Sequence, residues 1–369
     1  MKVLINGYVG KKITGIGRTL IETLNELSLI DDQVEYVVYT NVDNFELLNY
    51  RFPSSIMVKS YPVSKQSSIK NLLFNAFVFP FISLLEKADL VYIPNFTIIL
   101  FSFKPVVSVI HDMIDFKVNE KFSKLRMFYR HMIVPRMTKM SCRIITVSEN
   151  SKNDIVEICG TRSDKIEVVY DSVSDSFNNE NIGKRLIEHD YILYVGTVDH
   201  PGKNVFNALK AFDYYKELNV IDLKFVICGM PGKGFEKVNN YINKSKFKDD
   251  IIYCGFVDDS ELLNYYAYAC VFVFISYYEG FGMPILEAMK FGLPVITSDR
   301  SSLPEIAGDA AFICNPDDVE EIAAAYSTLL TDESLRLDMI NKGYQNLMRF
   351  SWTETARKTL IVFKLAVDS

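Results

Sequence analysis

The stretch VFVFISYYEGFGMPILEAMKFGLPVITS, Val271 to Ser298, holds a strand, a loop, a helix and a second strand, and its reading decides how the rest of the chain is read. VFVFIS is a short apolar run, rich in β-branched and aromatic residues, of the kind a fully buried strand requires. Glu279 follows in a loop whose Gly280 and Gly282 allow the backbone to approach a ligand closely. Pro284 suits the first turn of a helix, Gly292 its close and Pro294 the start of the next strand, PVIT. The spacing predicts that Glu287 lies in the first helical turn, where a carboxylate is favoured by the helix dipole. There the backbone N–H groups of Phe281, Gly282 and Met283 face outward.

The same unit repeats on either side. From Tyr191 onward, YILYVG, KFVICG and IIYCG alternate with helix-length amphipathic segments beginning at Asn204 and Asp259. In the first half, strands are predicted at residues 3–6, 34–39, 56–59, 90–93, 106–110, 144–147 and 166–170, with helical patterns between them. Such alternation is the mark of βαβ units and parallel sheets. Residues 174–190 are polar, lack a sustained apolar period and read as a linker. The expected fold class is α/β, with two doubly wound Rossmann-like domains, 1–185 and 186–369, facing a central cleft at the carboxyl ends of their strands. The last helical stretch, residues 352–366, could pack on either domain.

Composition agrees and excludes other classes. The chain has 369 residues, 49% hydrophobic and 23% charged, with a mean hydropathy of +0.09, enough apolar material for two cores and too much for a disordered or fibrous protein. A net charge of −6 does not mark a nucleic-acid binder. Residues 51–145, however, carry 14 Lys and Arg against five acids, which invites an anionic partner. Cys142, Cys159, Cys228, Cys254, Cys270 and Cys314 form no Cys-x-x-Cys and read as buried thiols of a reducing compartment. The start, MKVLINGYVGKK, does not read as a signal peptide. The greasiest run, Leu72 to Leu85, contains Asn75 and Pro80 and is too short to span a membrane.

Several segments carry chemistry. Two carboxylates, Glu279 and Glu287, beside N–H donors at a helix start suit a sugar hydroxyl, a ribose and a diphosphate together. In YVGTVDHPGKN, Tyr194 to Asn204, a strand ends at Gly196 and Lys203 stands beyond the turn, where an ammonium can stabilise a departing diphosphate. In NGYVGKKITGIGRTLIETL, Gly15 and Gly17 precede a helix, but the third glycine of a dinucleotide fingerprint is replaced by Leu20 and no acid ends the second strand, so an oxidoreductase is disfavoured. VVSVIHDMIDF brings His111 and Asp112 to a strand end. Ser148 is expected to cap a helix. The chain has no Asp-x-Asp, so no metal site is expected and helix dipoles with Lys203 must serve instead.

The run EGFGMPILEAMKFGLPVITSDRSSLPEIAGDAA, Glu279 to Ala311, with its two glutamates eight positions apart, resembles the retaining glycosyltransferases of family 4 (glycosyl transferases group 1), enzymes of the GT-B fold, and is mannosyltransferase-like. The resemblance implies roles for particular residues. Glu279 would hold donor-sugar hydroxyls and Glu287 the ribose, while the amides of Phe281, Gly282 and Met283 take sugar and phosphate oxygens. Gly15, Gly17 and Lys203 would face the diphosphate and His111 the donor sugar. Thr197 stands where many relatives carry a basic residue. The backbone around Phe256 and Val257 would meet the nucleobase, and Asp259 could accept from N1–H and the exocyclic amine of guanine, donors uracil lacks. Asp259 also sits where a helix N-cap belongs.

The activity so implied is transfer of a hexose, mannose first, from a nucleotide-diphosphate sugar to a hydroxyl, with retention and without a separate nucleophile or further cofactor. UDP- or dTDP-sugar donors, protein or soluble acceptors, and a non-catalytic sugar-nucleotide-binding relative are the alternatives. In FKVNEKFSKLRMFYRHMIVPRMTKM, Lys117, Lys121, Lys124, Arg126, Arg130, Arg136 and Lys139 are interleaved with apolar residues. That pattern reads either as a membrane-surface patch suited to a lipid-linked glycan or as an ordinary solvated helix. The expected location is cytoplasmic, peripheral on the inner face of the membrane.

Overall fold

The computed structural model describes residues 1–9, 15–64, 66–97, 99–118, 124–178 and 182–369. Seven strands form one sheet: β1 (Lys2–Asn6), β2 (Glu35–Asn41), β3 (Ile56–Tyr61), β4 (Leu90–Ile93), β5 (Val106–Val109), β6 (Arg143–Thr146) and β7 (Ile166–Val168), in the order β3-β2-β1-β4-β5-β6-β7. Six form another: β8 (Asp190–Val195), β9 (Leu223–Cys228), β10 (Ile251–Gly255), β11 (Val271–Phe274), β12 (Val295–Ser298) and β13 (Ala311–Cys314), in the order β10-β9-β8-β11-β12-β13. Every pairing within them is parallel. Each sheet starts in its middle and reverses direction once, between β1 and β4 and between β8 and β11, so both are doubly wound, as expected. β13 was not among the expected strands. Its apolar run, Ala310 to Cys314, lies between Gly308-Asp309 and Asn315-Pro316 but opens on two alanines, which have little β-propensity.

The chain divides into two compact units. One takes Met1–Phe116, the described residues from Lys124 to Asp171, and Ser351–Ser369; the other takes Lys117, Val118 and Ser172–Phe350. The helix Trp352–Val367, capped by Ser351, thus belongs to the first unit although it follows the second sheet. Ala356, Leu360 and Phe363 recur at helical spacing. They join Leu20, Leu24 and Leu27 of the helix Gly15–Ile30 and the strand residues Val3, Ile5 and Tyr92 in one core cluster. The Phe363 ring stands edge-on to Tyr92 with centroids 4.9 Å apart. On the other face of that sheet, Leu4, Val37, Val91 and Ile93 are covered by Ala76, Phe79 and Ile82 from one helical segment and by Ile133 and Met137 from another.

The greasy run forms a helix, Ser68–Leu73, a π-helical turn, Phe74–Val78, and a second helix, Phe79–Leu85. Among the described residues no helix is long and apolar enough to cross a membrane. All six cysteines are free thiols, but only Cys228 and Cys314 are buried; the other four are half-buried, which corrects the expectation for them.

Just beyond β7, Asp171 is buried and accepts from Thr19 Oγ1 at 3.1 Å. Burial raises its pKa to about 7. A carboxyl raised in this way keeps its proton in the native chain over a range where the unfolded chain has lost it. Its contribution to stability is therefore complete at low pH and is lost as pH climbs from about 4 to about 7. We expect Asp171→Asn to stabilise the protein more at pH 8 than at pH 5, the two gains differing by roughly 2–3 kcal/mol in urea unfolding. Equal gains at both pH values would disprove the burial argument. In the same assay Phe363→Ala should cost about 3–5 kcal/mol, because it empties a fully buried contact on β4.

Candidate active site

The crevice of a doubly wound sheet opens where the strand order reverses, at the carboxyl ends of the two strands that flank it. In the second sheet these are β8 and β11. The loop after β8 carries Lys203 and the loop after β11 carries Glu279, and the two side chains meet there. Lys203 Nζ lies 2.6 Å from both Oε1 and Oε2 of Glu279. Both are mostly sequestered, their side chains 19% and 12% exposed. Leaving either charge alone in such a place would carry a large desolvation cost, so each holds the other in position.

The loops themselves are pinned. Lys203 N–H donates to Asp199 Oδ1 at 2.6 Å, and Tyr277 N–H donates to the Gly202 carbonyl at 3.0 Å, tying one loop to the other. Glu279 N–H donates to Ser301 Oγ at 2.9 Å. Ser302 Oγ donates to the carbonyls of Glu279 and Phe281 at 3.0 and 2.9 Å. Gly282 has φ +107°, and a Cβ there would stand 2.8 Å from Leu303 Cδ2, so this turn into the helix Met283–Lys290 requires glycine. Asp199, Ser301 and Ser302 were not singled out from the sequence. The serines sit in the quoted run Glu279 to Ala311, but nothing in their local pattern shows that they reach back to the glutamate.

Two expectations are corrected here. Glu287 is not in the first helical turn, because the helix begins at Met283, which places Glu287 in the second. It is buried and accepts from Tyr266 Oη at 2.8 Å, a partner the sequence did not suggest. Asp259 is not the N-cap of its helix: Asp258 takes that place, accepting from Glu261 N–H at 3.0 Å, and Asp259 is the first helical residue, exposed. Val257 is half-buried in the loop after β10, and Thr197 is exposed in the loop after β8. Phe281 and Gly282 are buried and Met283 half-buried at the helix start, whose first N–H groups have no carbonyl of their own helix to bond.

The remaining expected residues belong to the first unit. Gly15 and Gly17 open the helix Gly15–Ile30, and residues 10–14 lie outside the described residues. His111 follows β5, buried, with Nε2 2.9 Å from the Pro94 carbonyl. A carbonyl only accepts, so Nε2 carries the hydrogen and Nδ1 presents a lone pair. Burial lowers the pKa of this imidazole, which keeps it neutral at pH 7. Asp112 Oδ1 accepts from Ile114 N–H at 3.1 Å. Ser148 caps the helix Glu149–Cys159, accepting from Ser151 N–H at 3.1 Å, as expected.

The basic stretch is not uniformly outward. Within the helix Lys124–Met140, Arg130 is buried and its Nε donates to Asp115 Oδ2 at 2.9 Å, which removes it from any surface patch. Lys121 and the side chains of Lys124 and Arg126 lie outside what is described.

Comparison with known proteins accounts for both halves. The pattern described as Glycosyltransferase Family 4 matches residues 13–177, and that described as Glycosyl transferases group 1 matches residues 178–346. The chain is similar to O-antigen chain mannosyltransferase B of Escherichia coli, 30% identical over 267 residues that cover 70% of each protein. It is also similar to O-antigen chain mannosyltransferase RfbU of Salmonella typhimurium, 27% identical over 329 residues covering 87% of this chain and 88% of that one. The crystal structure of Anabaena Alr3699/HepE in complex with UDP-glucose superimposes over 99% of both chains with a TM-score of 0.74 at 17% identity, a likeness of fold. With both halves matched and a relative at 30% identity across most of its length, the chain belongs to glycosyltransferase family 4 and is a hexosyltransferase of the GT-B fold.

Proposed function

We propose that this glycosyltransferase moves a mannosyl unit from a nucleotide-diphosphate mannose to a hydroxyl of a lipid-linked glycan, with retention at the anomeric carbon. The reaction would serve assembly of a surface polysaccharide on the cytoplasmic side of the cell membrane. The observation that carries the reading is the contact of Lys203 with Glu279 at the strand reversal, where a diphosphate and its sugar would be held together. The mannosyltransferase names of the two similar proteins support the choice of sugar.

In this reading an ammonium with three donors can turn one toward a phosphate oxygen while keeping Glu279. It offsets the charge that grows on the diphosphate as the C1–O bond breaks. The Glu279 oxygens accept from sugar hydroxyls, the Glu287 carboxylate from the ribose, and the amides of Phe281, Gly282 and Met283 donate to sugar and phosphate oxygens. Gly15 and Gly17 would let backbone approach the diphosphate, and the neutral His111 would orient the sugar. No separate nucleophile is assigned. A departing phosphate oxygen takes the proton of the acceptor hydroxyl while the new C1–O bond forms on the same face. Because Asp258 already caps the helix, capping no longer competes as an explanation of Asp259, which favours a guanine base opposite it.

A panel of GDP-mannose, UDP-glucose and dTDP-rhamnose, scored by nucleotide release and by the anomeric configuration of the product, tests the donor and the stereochemistry; an inverted product or indifference to GDP-mannose overturns the proposal. Glu279→Gln should abolish detectable transfer while the nucleotide dissociation constant changes little, whereas retained turnover would refute its role. Lys203→Ala should lower kcat by roughly 10²–10³-fold, the loss expected when a preorganised stabilising charge is removed. Asp259→Ala should raise KM for a guanosine donor and leave a uridine donor unaffected.

A further inference from the structure

The helical segment Ser68–Leu85 is built inside out. Asn71, Asn75 and Ser83 face the protein interior. Asn71 is buried, accepts from Tyr61 Oη at 3.0 Å and donates to the carbonyls of Ser64 and Ser67. Asn75 is buried, accepts from Asn6 Nδ2 at 2.7 Å and donates to the Asn71 carbonyl. Ser83 is buried and donates to the Pro80 carbonyl. Its outward side chains are apolar: Ile69 is 74% exposed, Phe77 51%, Phe81 50% and Leu85 80%, with Leu73, Val78 and Leu84 exposed beside them.

Positions 69, 73, 77, 81 and 85 are four apart. In a regular α-helix such a row drifts by about 40° per step, but the π-helical turn at Phe74–Val78 absorbs extra chain and keeps the row nearer one face. The loop after β4 extends this face. The rings of Phe81, Phe101 and Phe103 form a mutual cluster with centroids 5.3–5.6 Å apart, Phe103 itself 47% exposed. A soluble surface helix shows the opposite polarity, so this face is made for a medium other than water.

The charge around the patch selects that medium. Lys70 is the sole charged residue between Ser68 and Leu85, and Lys104 follows Phe103 directly. The helix Lys124–Met140 covers the same sheet face and presents Phe128, Met132 and Arg136 outward at successive intervals of four. The nearest acid along the chain, Glu86, is already engaged by Lys59 Nζ and Tyr39 Oη, each at 2.6 Å. A second copy docked on the same face would set Lys70, Lys104 and Arg136 against their own counterparts, which disfavours a symmetric dimer.

We propose that this face, formed by residues 69–85, the Phe101–Phe103 loop and the exposed row of the helix Lys124–Met140, lies on an anionic lipid bilayer, its rings in the headgroup boundary and its cations on lipid phosphates. The inference deepens the reading of a lipid-linked acceptor and rests on it for its biological sense. Its test contains no sugar, so the two fail separately.

The full chain is sedimented with vesicles of equal parts phosphatidylglycerol and phosphatidylcholine and with vesicles of phosphatidylcholine alone. We expect binding to the former, weakened by salt, and a loss of about tenfold or more in partitioning for Phe77→Gln/Phe81→Gln/Phe103→Gln. A second variant, Lys70→Glu/Arg136→Glu, touches no core residue and should lose the preference for anionic vesicles. Failure of the unaltered chain to bind phosphatidylglycerol vesicles would sink the proposal. So would equal binding by both variants, or a triple variant whose only change, by analytical ultracentrifugation, is from dimer to monomer.

Discussion

The ion pair between Lys203 and Glu279, 76 positions apart in the chain, exists because β8 and β11 are hydrogen-bonded neighbours in the sheet. The reversal of strand order beside β8 leaves no helix between the two carboxyl ends, so two loops meet over open sheet. Each loop then needs its own anchoring. Asp199 supplies it on one side and Ser301 with Ser302 on the other, and Tyr277 links the two. Without the anchors, holding a lysine and a glutamate on long side chains in one geometry would cost side-chain entropy that offsets part of what the ion pair contributes.

Much of this was legible because strands of parallel sheets read as short apolar runs, most of them buried, and twelve of the thirteen stand out in that way. The thirteenth, β13, lies in a run that opens on Ala310 and Ala311, and alanine has too little β-propensity to mark a strand. Glycine and proline mark the turn before the helix Met283–Lys290 for the same kind of local reason: a positive φ at Gly282 and the fixed φ of Pro284 are properties of those residues wherever they stand. Helix starts are less exact. A one-residue shift exchanged Asp259 for Asp258 as the cap, and a one-residue earlier start at Met283 moved Glu287 from the first turn to the second, next to Tyr266.

Periodicity states how much apolar surface a segment carries and not which side of it meets the core. The segment Ser68–Leu85 shows the difference. Asn75 interrupts the greasy run, and the amide network with Asn6, Asn71 and Tyr61 takes both asparagines inward and turns Phe77 and Phe81 out. Arg130 is the converse case, a cation in a basic stretch that is drawn inside by Asp115. In both, a partner far along the chain overrides the local polarity, because a buried polar group is tolerated only where it is bonded.

From residue order alone came the α/β class, the two sheets, the glycine turn and the pair of glutamates, all set by backbone preference and by apolar runs a few residues long. Only the folded chain decided that the last helix covers the first sheet, that Lys203 closes on Glu279, that two serines hold the glutamate's loop, and which face of the segment Ser68–Leu85 looks outward. These depend on contacts between residues tens to hundreds of positions apart, and such contacts leave no period in the sequence from which they could be read.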